Sequence, residues 1–372
     1  MIFIVLDIAV ISLLLIIFFL LIITRKKKKK LVKNRSSKYA IIIPARDESE
    51  VITRTLDAIK IQNKKMDNTY VIIEDKKDPT YKIAEEYGAN VYIRKKPIKH
   101  TKGNAIDECI KEILKDKHYD LYFILDADNI IEKDFIKKML AYWKEGYEVA
   151  SAYRNTLNAN TWVSISSGLL FAAQNVLLNR YRKLFNLPLI LCGSGFYIDG
   201  RVIEKLGGFP FFSLTEDFEV SLYIEDNNLS NKLALDCMYL DEQPLTLKAS
   251  INQRVRWLKG VFTNIKKRKK SLTSTLYDLT LSLAALLLVL FSIELILFFG
   301  LLKGLLLIYL VTMLITIITL MIDNERIRLN NFQKIKCIIF NPLFLYSYII
   351  CVIKALFKKD ITWTKTKHTG GK

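Results

Sequence analysis

The sequence predicts an α/β protein, a doubly wound and mostly parallel sheet, joined to transmembrane helices. Three observations carry this. Between Lys38 and Asp128, short β-branched runs alternate with segments of helical spacing, the pattern of βαβ units. The run Tyr119-Asp120-Leu121-Tyr122-Phe123-Ile124-Leu125 reads as a buried strand and ends in Asp126-Ala127-Asp128-Asn129. Apolar stretches long enough to cross a bilayer core of roughly 30 Å lie near both ends, with lysines and arginines beside them.

The bulk properties agree. The chain has 372 residues, 51% hydrophobic, with a net charge of +19 and a mean hydropathy of +0.20. A charge this positive suits nucleic acid or an anionic membrane face. The lysines cluster next to apolar runs, which favours the membrane and argues against a nucleic-acid partner. The five cysteines, Cys109, Cys192, Cys237, Cys337 and Cys351, show no paired spacing. That argues against a disulfide framework or zinc site and fits a reduced cytosolic setting.

Taken in order, residues 1–24 form an apolar anchor whose only charge is Asp7, and 25–37 a basic linker opening Arg25-Lys26-Lys27-Lys28-Lys29-Lys30. Charge after the apolar run places that end in the cytoplasm, and a cleaved signal would carry it before. Tyr39 to Pro44 is a strand stopped by proline. Glu48 to Gln62 has helical spacing, Thr69 to Asp75 is a second strand, and Asp78-Pro79 opens a helix. Asn90 to Ile93 is a third strand, Lys102 to Lys115 a helix, and the strand to Asp126 follows. No Gly-x-Gly-x-x-Gly and no Walker loop occurs, so dinucleotide and P-loop folds are unsupported.

Ligands of open α/β sheets bind outside the carboxyl ends of the strands. Asp126 and Asp128 sit at such an end. A hard divalent cation, Mg²⁺ or Mn²⁺, prefers such oxygens and can carry phosphate oxygens on its free positions. A polar turn after a strand is the alternative. Glu216 and Asp217 after Thr215 have two readings: a carboxylate able to accept a proton, or the acidic first turn of a capped helix. Cys192 reads as packing, and His100, His118 and His368 are too scattered for a metal site.

Several runs carry a resemblance. Ile41-Ile42-Ile43-Pro44-Ala45-Arg46-Asp47-Glu48 resembles the opening strand of family 2 glycosyltransferases, and Ile72-Ile73-Glu74-Asp75 resembles its acidic second strand end. The following turn departs from the family pattern, because Lys76-Lys77-Asp78 stands where a Gly-Ser-Thr-Asp-like turn is usual. Lys102-Gly103-Asn104-Ala105 resembles Lys-Gly-x-Ala, and Asp126-Ala127-Asp128 resembles Asp-x-Asp. Cys192-Gly193-Ser194-Gly195 resembles the Cys-Gly-Ser element of membrane polysaccharide synthases. Gly207-Gly208-Phe209 with Thr215-Glu216-Asp217 resembles their segment bearing the base. Gln253-Arg254-Val255-Arg256-Trp257 is similar to the Gln-x-x-Arg-Trp of processive cellulose, chitin, hyaluronan and poly-N-acetylglucosamine synthases.

The resemblance implies a cytosolic GT-A-like domain over 38–245 and a UDP-sugar donor. It implies donor and acceptor contacts at Pro44, Ala45, Glu48, Asp75, Lys102, Asp126, Cys192, Gly193, Ser194, Gln253, Arg254, Arg256 and Trp257. Asp217, with Glu216 beside it, would be the base, and Asp126 with Asp128 the metal ligands. The chemistry is consistent: a strand-end carboxylate can accept the uracil imide hydrogen, and Lys102 brings charge to the diphosphate. The acceptor would be a growing glycan. A single transfer to a polyprenyl phosphate or glycolipid is the enzyme alternative, and a non-catalytic membrane scaffold the other.

The remainder reads as membrane. Residues 246–270 form a basic amphipathic interfacial segment, and 271–322 a transmembrane hairpin with apolar arms Leu276 to Phe299 and Leu301 to Ile322. Residues 323–372 hold a loop marked by Arg326 and Arg328 and an apolar segment, Cys337 to Phe357. That segment spans or lies in the interface, and a tail follows. Trp363-Thr364-Lys365-Thr366-Lys367 in that tail resembles a synthase segment that reaches back to the cytosolic site. So few spans suggest an export partner or self-association in the plasma membrane.

Overall fold

The computed structural model describes residues 38–63, 65–95, 101–179, 182–183, 187–267 and 293–357. The expected anchor, the first arm of the hairpin up to residue 292 and the Trp363 tail lie outside them.

Strands β1 (Tyr39–Pro44), β2 (Thr69–Ile73), β3 (Asn90–Ile93) and β4 (Leu121–Ile124) form the parallel half of an eight-stranded sheet ordered β3-β2-β1-β4-β7-β6-β8-β5. Beyond β4 the sheet is mixed. Strand β7 (Phe196–Asp199) runs antiparallel to both β4 and β6 (Val149–Thr156), β8 (Asn231–Asp241) parallel to β6, and β5 (Ile130–Ile131) antiparallel to β8. The βα alternation that predicted parallel pairing stops after β4 in the sequence, and so do the uninterrupted parallel pairs.

Alternate residues of the central strands face opposite sides, as the period of two requires. Ile41, Ile43, Val71, Ile73 and Phe123 pack against α1 (Ile52–Gln62) and α4 (Phe135–Lys144) through Leu56, Ile59, Phe135, Met139 and Trp143. Ile42, Ile72, Tyr122 and Ile124 pack on the other face against α3 (Lys102–Asp116), α6 (Gly200–Leu206) and α7 (Glu216–Asp226). Burying each such side chain contributes roughly 1.5–3 kcal/mol. Helix α2 (Thr80–Glu86) tucks Ala84 into the first cluster, with Pro79 at its N-cap.

Helix α1 begins at Ile52, not Glu48. The Glu48 carbonyl accepts the N–H groups of Val51 and Ile52, so Glu48 lies in the preceding turn. Asp78 pins that turn, its carboxylate accepting the N–H of Asp47 at 2.8 Å, while Asp47 takes φ 56°.

Helix α5 (Trp162–Ala173), continued by a π-helical turn Gln174–Asn179, lies beside β6 and shares a third cluster with the C-terminal helices. Helix α8 (Leu247–Lys267) has two working faces. Ile251, Val255, Leu258 and Phe262, at helical spacing, pack toward Cys351 and Ala355 of α10 (Asn331–Phe357). Helix α9 (Leu301–Ile322) matches the second expected hairpin arm and leaves Leu302, Leu306, Leu314 and Met321 exposed. Helix α10 takes in the apolar segment Cys337 to Phe357 and contains Pro342. One face of it, Cys337, Asn341, Phe344, Ser347, Cys351 and Ala355, is buried, and Ile335, Ile339, Leu343, Ile350 and Ile353 are exposed. Both α9 and α10 are long and apolar enough to cross a membrane.

The topology brings the loops to one edge. The carboxyl ends of parallel β1, β2 and β4 point the same way. Strand β7 starts there, because Phe196 pairs with Ile124. Strands β6 and β8 end there after a register shift between Ala152 and Tyr153, so that Thr156 pairs with Asp241.

Candidate active site

Lys102 is the first residue of α3, whose N-cap Thr101 accepts the N–H of Asn104. Gly103 is required next to it: an added Cβ would stand 1.7 Å from the Phe211 carbonyl oxygen. The helix start thereby presses against the segment leading to Thr215, and Lys102 reaches three groups. Its Nζ lies 2.7 Å from Asp126 Oδ1, 3.1 Å from Glu216 Oε1, and donates to the Gly193 carbonyl at 2.6 Å. Burial alone would lower the ammonium's pKa, but Asp126 and then Glu216 hold it above its ordinary value.

The loop after β4 is built by Ser194 and Asn129. The Asp126 N–H donates to Ser194 Oγ at 2.8 Å and to Asn129 Oδ1 at 3.0 Å. Ser194 Oγ donates to Asn129 Oδ1, and Asn129 Nδ2 to Asp128 Oδ1 at 3.2 Å. Burial, and then the charges of Asp241 and Asp126, push the Asp128 carboxyl well above the usual range, with Glu48 adding to the effect. Oxygen donors crowded so that they repel one another fit a hard dication. Among the described residues no three His, Cys, Asp or Glu side chains form a finished cage. A cation on Asp126 and Asp128 would keep positions open for phosphate oxygens.

Glu216 and Asp217 open α7. Burial pushes Glu216 up to about 7 against the pull of Lys102. Asp217 is also raised by burial, with Lys102 and hydrogen bonds from the Phe218 and Gly193 N–H groups opposing. Gly193 takes φ 86°, a backbone that L side chains rarely adopt. Cys192 is buried and its thiol is pushed up to about 12 by burial, which disfavours the thiolate and fits a packing role.

Helix α8 closes the site from the side. Gly260 lies against Thr215, where a Cβ would stand 2.5 Å from Oγ1, and Asn264 Nδ2 donates to Ser213 Oγ at 2.9 Å. Burial lowers the Arg256 guanidinium below its ordinary value, against the opposing charges of Glu216, Asp126 and Asp217. Trp257 meets Phe171 edge-on, ring centroids 5.6 Å apart. Gln253 is half-buried, three and four residues before Arg256 and Trp257 and thus on their side of the helix.

Arg254 is a correction to the expected substrate-binding set. It is 1% exposed and turned to α10, where it donates to the Phe344 carbonyl at 3.3 Å and to Ser347 Oγ at 2.7 Å, its guanidinium over the Phe344 and Tyr348 rings. Asp75 stands exposed past β2, accepting the Lys77 N–H at 2.9 Å. Pro44 ends β1 and Ala45 follows it, its N–H donating to the Ile72 carbonyl. Sequence reasoning missed Asn129, Arg154 and Asp241 as members of this edge.

Comparison with known proteins agrees with this geometry. The sequence pattern described as Glycosyltransferase like family 2 matches residues 36–260. A probable glycosyltransferase, YdaM, of Bacillus subtilis (strain 168) is 24% identical over 381 residues, covering 89% of this chain and 87% of that protein. The UDP-forming catalytic polypeptide of cellulose synthase from Dictyostelium discoideum is 22% identical over 178 residues, 45% of this chain and 16% of that one. Among solved structures, the mannosyltransferase PcManGT from Pyrobaculum calidifontis, in complex with GDP-Man and Mn²⁺, superposes with a TM-score of 0.56 at 13% identity, covering 95% and 99% of the two chains. At that identity the likeness is one of fold. Since the family pattern spans more than half of the chain and the sheet is the GT-A-like mixed sheet, the chain belongs to the glycosyltransferase-like family 2.

Proposed function

We propose that this glycosyltransferase is membrane-bound, takes a sugar from a UDP-sugar and adds it with inversion to a growing glycan, building a β-linked polymer processively. One observation carries the reading. The pairs Asp126/Asp128 and Glu216/Asp217 meet at one sheet edge, bridged by Lys102, with Arg256 and Trp257 on the helix beside them. A leaving diphosphate and an incoming hydroxyl need this division of charge. Two of the similar proteins, a UDP-forming cellulose synthase and a mannosyltransferase bound to GDP-Man and Mn²⁺, support a nucleotide-sugar donor and a divalent cation.

Asp126 and Asp128 would hold Mg²⁺ or Mn²⁺, which when bound neutralises charge on the leaving UDP. Lys102 would move from Asp126 toward the diphosphate as that charge arrives. Asp217, steadied by the Gly193 N–H, accepts the proton of the acceptor hydroxyl as it attacks in line with the leaving group. Trp257 offers a ring on which a sugar face can stack, so the chain end is kept between transfers. Asp75 would contact the base of the nucleotide. Catalysis would take place on the cytosolic side of the plasma membrane, with product leaving through a partner or a second copy.

The test is transfer of labelled sugar from a panel of nucleoside diphosphate sugars by membranes holding the enzyme, with product sizing. Long product from a UDP-sugar is expected. Asp217→Asn should lower turnover by about 10²-fold or more while UDP still binds. A wild-type product of one sugar on a lipid, under excess donor, replaces processivity with single transfer. Normal turnover in Asp217→Asn removes that residue as the base.

A further inference from the structure

Arg154 is a largely buried cation paired to Asp241. It lies on β6, just past the register shift, and its side chain is 12% exposed. Nε donates to Asp241 Oδ2 at 2.9 Å and Nη2 donates to the same oxygen. Nη1 donates to the Cys192 carbonyl at 3.0 Å. The guanidinium carbon lies over the Phe171 ring, 3.6 Å from its centroid, and the same ring meets Trp257 edge-on. Each of these partners leads to a different part of the site. Asp241 ends β8 at the sheet edge where the loop bearing Asp126 and Asp128 also lies. Cys192 precedes Gly193, whose N–H holds Asp217 and whose carbonyl holds Lys102. Phe171 carries the ring proposed to receive the acceptor.

Resting on the reading above, we propose that Arg154 is the positioning residue that fixes the distance between donor-side carboxylates, base and acceptor platform. One rigid fork sets all three. A longer separation would leave the hydroxyl out of line with the leaving group, and misplacement by about 1 Å can lower rates by about 10²-fold. A lysine at 154 keeps the charge but cannot cover the Phe171 ring while donating to both Asp241 and the Cys192 carbonyl. The charge alone therefore does not perform this role.

The experiment compares full-length wild type with Arg154→Lys, reading kcat, donor KM and amide hydrogen exchange. Arg154→Lys is expected to keep donor KM within about 3-fold and lose about 10²-fold in kcat. Exchange across residues 190–195 should quicken at least about tenfold, while β1 and β4 keep their protection. Wild-type kcat and exchange in Arg154→Lys overturn the proposal. So does a raised donor KM with kcat retained, which would make Arg154 a donor contact. If Arg154→Lys fails to fold, Phe171→Leu serves, since it removes the stack and leaves the ion pair. The same pattern at smaller amplitude is expected, and unchanged kcat and exchange there overturn the proposal. Should wild type transfer no sugar from any donor, the functional reading falls, and the exchange across 190–195 decides the role of Arg154 by itself.

Discussion

Glu216 and Asp217 are neighbours in the chain but meet different partners. Glu216 takes Lys102 at 3.1 Å, and Asp217 takes the Gly193 N–H. Burial pushes Glu216 from an ordinary 4.5 up to about 7, so between those values the folded chain holds a proton that the unfolded chain has released. Its contribution to stability is then complete below about 4.5 and is lost as the pH rises through about 7. The ligand-free protein should melt at falling temperature from pH 5.5 to 8, and Glu216→Gln should flatten that slope. Parallel slopes would mean that Glu216 is ionised throughout. The residue types of this site were legible in the sequence. Lys102, Asp126, Asp128, Glu216 and Asp217 each stand at the end of a strand or the start of a helix, in short contiguous motifs. Arg154 and Asp241 stand in no such motif, and only the pairing of β6 with β8 makes them neighbours, while Asn129 follows Asp128 directly but carries no charge to mark it. Arg254 was misread for another reason. Residues two apart on a helix point about 200° away from each other, so Arg254 and Arg256 cannot serve one face.

At the scale of elements, α8 packs against the start of α7, which carries Asp217, the proposed base. Gly260 lets this helix approach Thr215, and Asn264 fastens it to Ser213 and Thr215. Gly260→Val should push the helix off the start of α7, at a stability loss of about 1–3 kcal/mol, with transfer lost beyond what that predicts. Asn264→Ala should have a smaller effect of the same kind. Unchanged turnover in Gly260→Val, measured on folded protein, would mean that the proposed base is positioned without α8. The alternation of strands and helices up to β4 was readable because each buried run had its own period and stop. The mixed half was not, since pairing between β4 and β7 joins residues far apart in the chain.

For the whole molecule, the loop between α9 and α10 and the first turn of α10 are tied to the catalytic domain. Arg326 Nε donates to the Leu235 carbonyl at 3.0 Å, Arg328 pairs with Glu132, and Gln333 Nε2 donates to the Ala159 carbonyl at 2.8 Å. Arginines that marked a cytoplasmic loop in the sequence therefore also anchor that loop to the sheet. The domain and the loop should lie on the same, cytosolic side. A cysteine introduced at exposed Lys133 should resist an impermeant thiol reagent in intact cells and react after lysis, and labelling before lysis would reverse the orientation. The Arg254 contacts have a further, practical consequence. Cutting the chain after Lys267, the obvious way to obtain a water-soluble enzyme, would strip α10 from α8. A guanidinium that is 1% exposed would lose its carbonyl and hydroxyl, and Ile251, Val255, Leu258 and Phe262 would face solvent. A chain that keeps α10 should therefore melt at a higher temperature than one cut after Lys267, and equal melting would mean that α8 holds its place without α10.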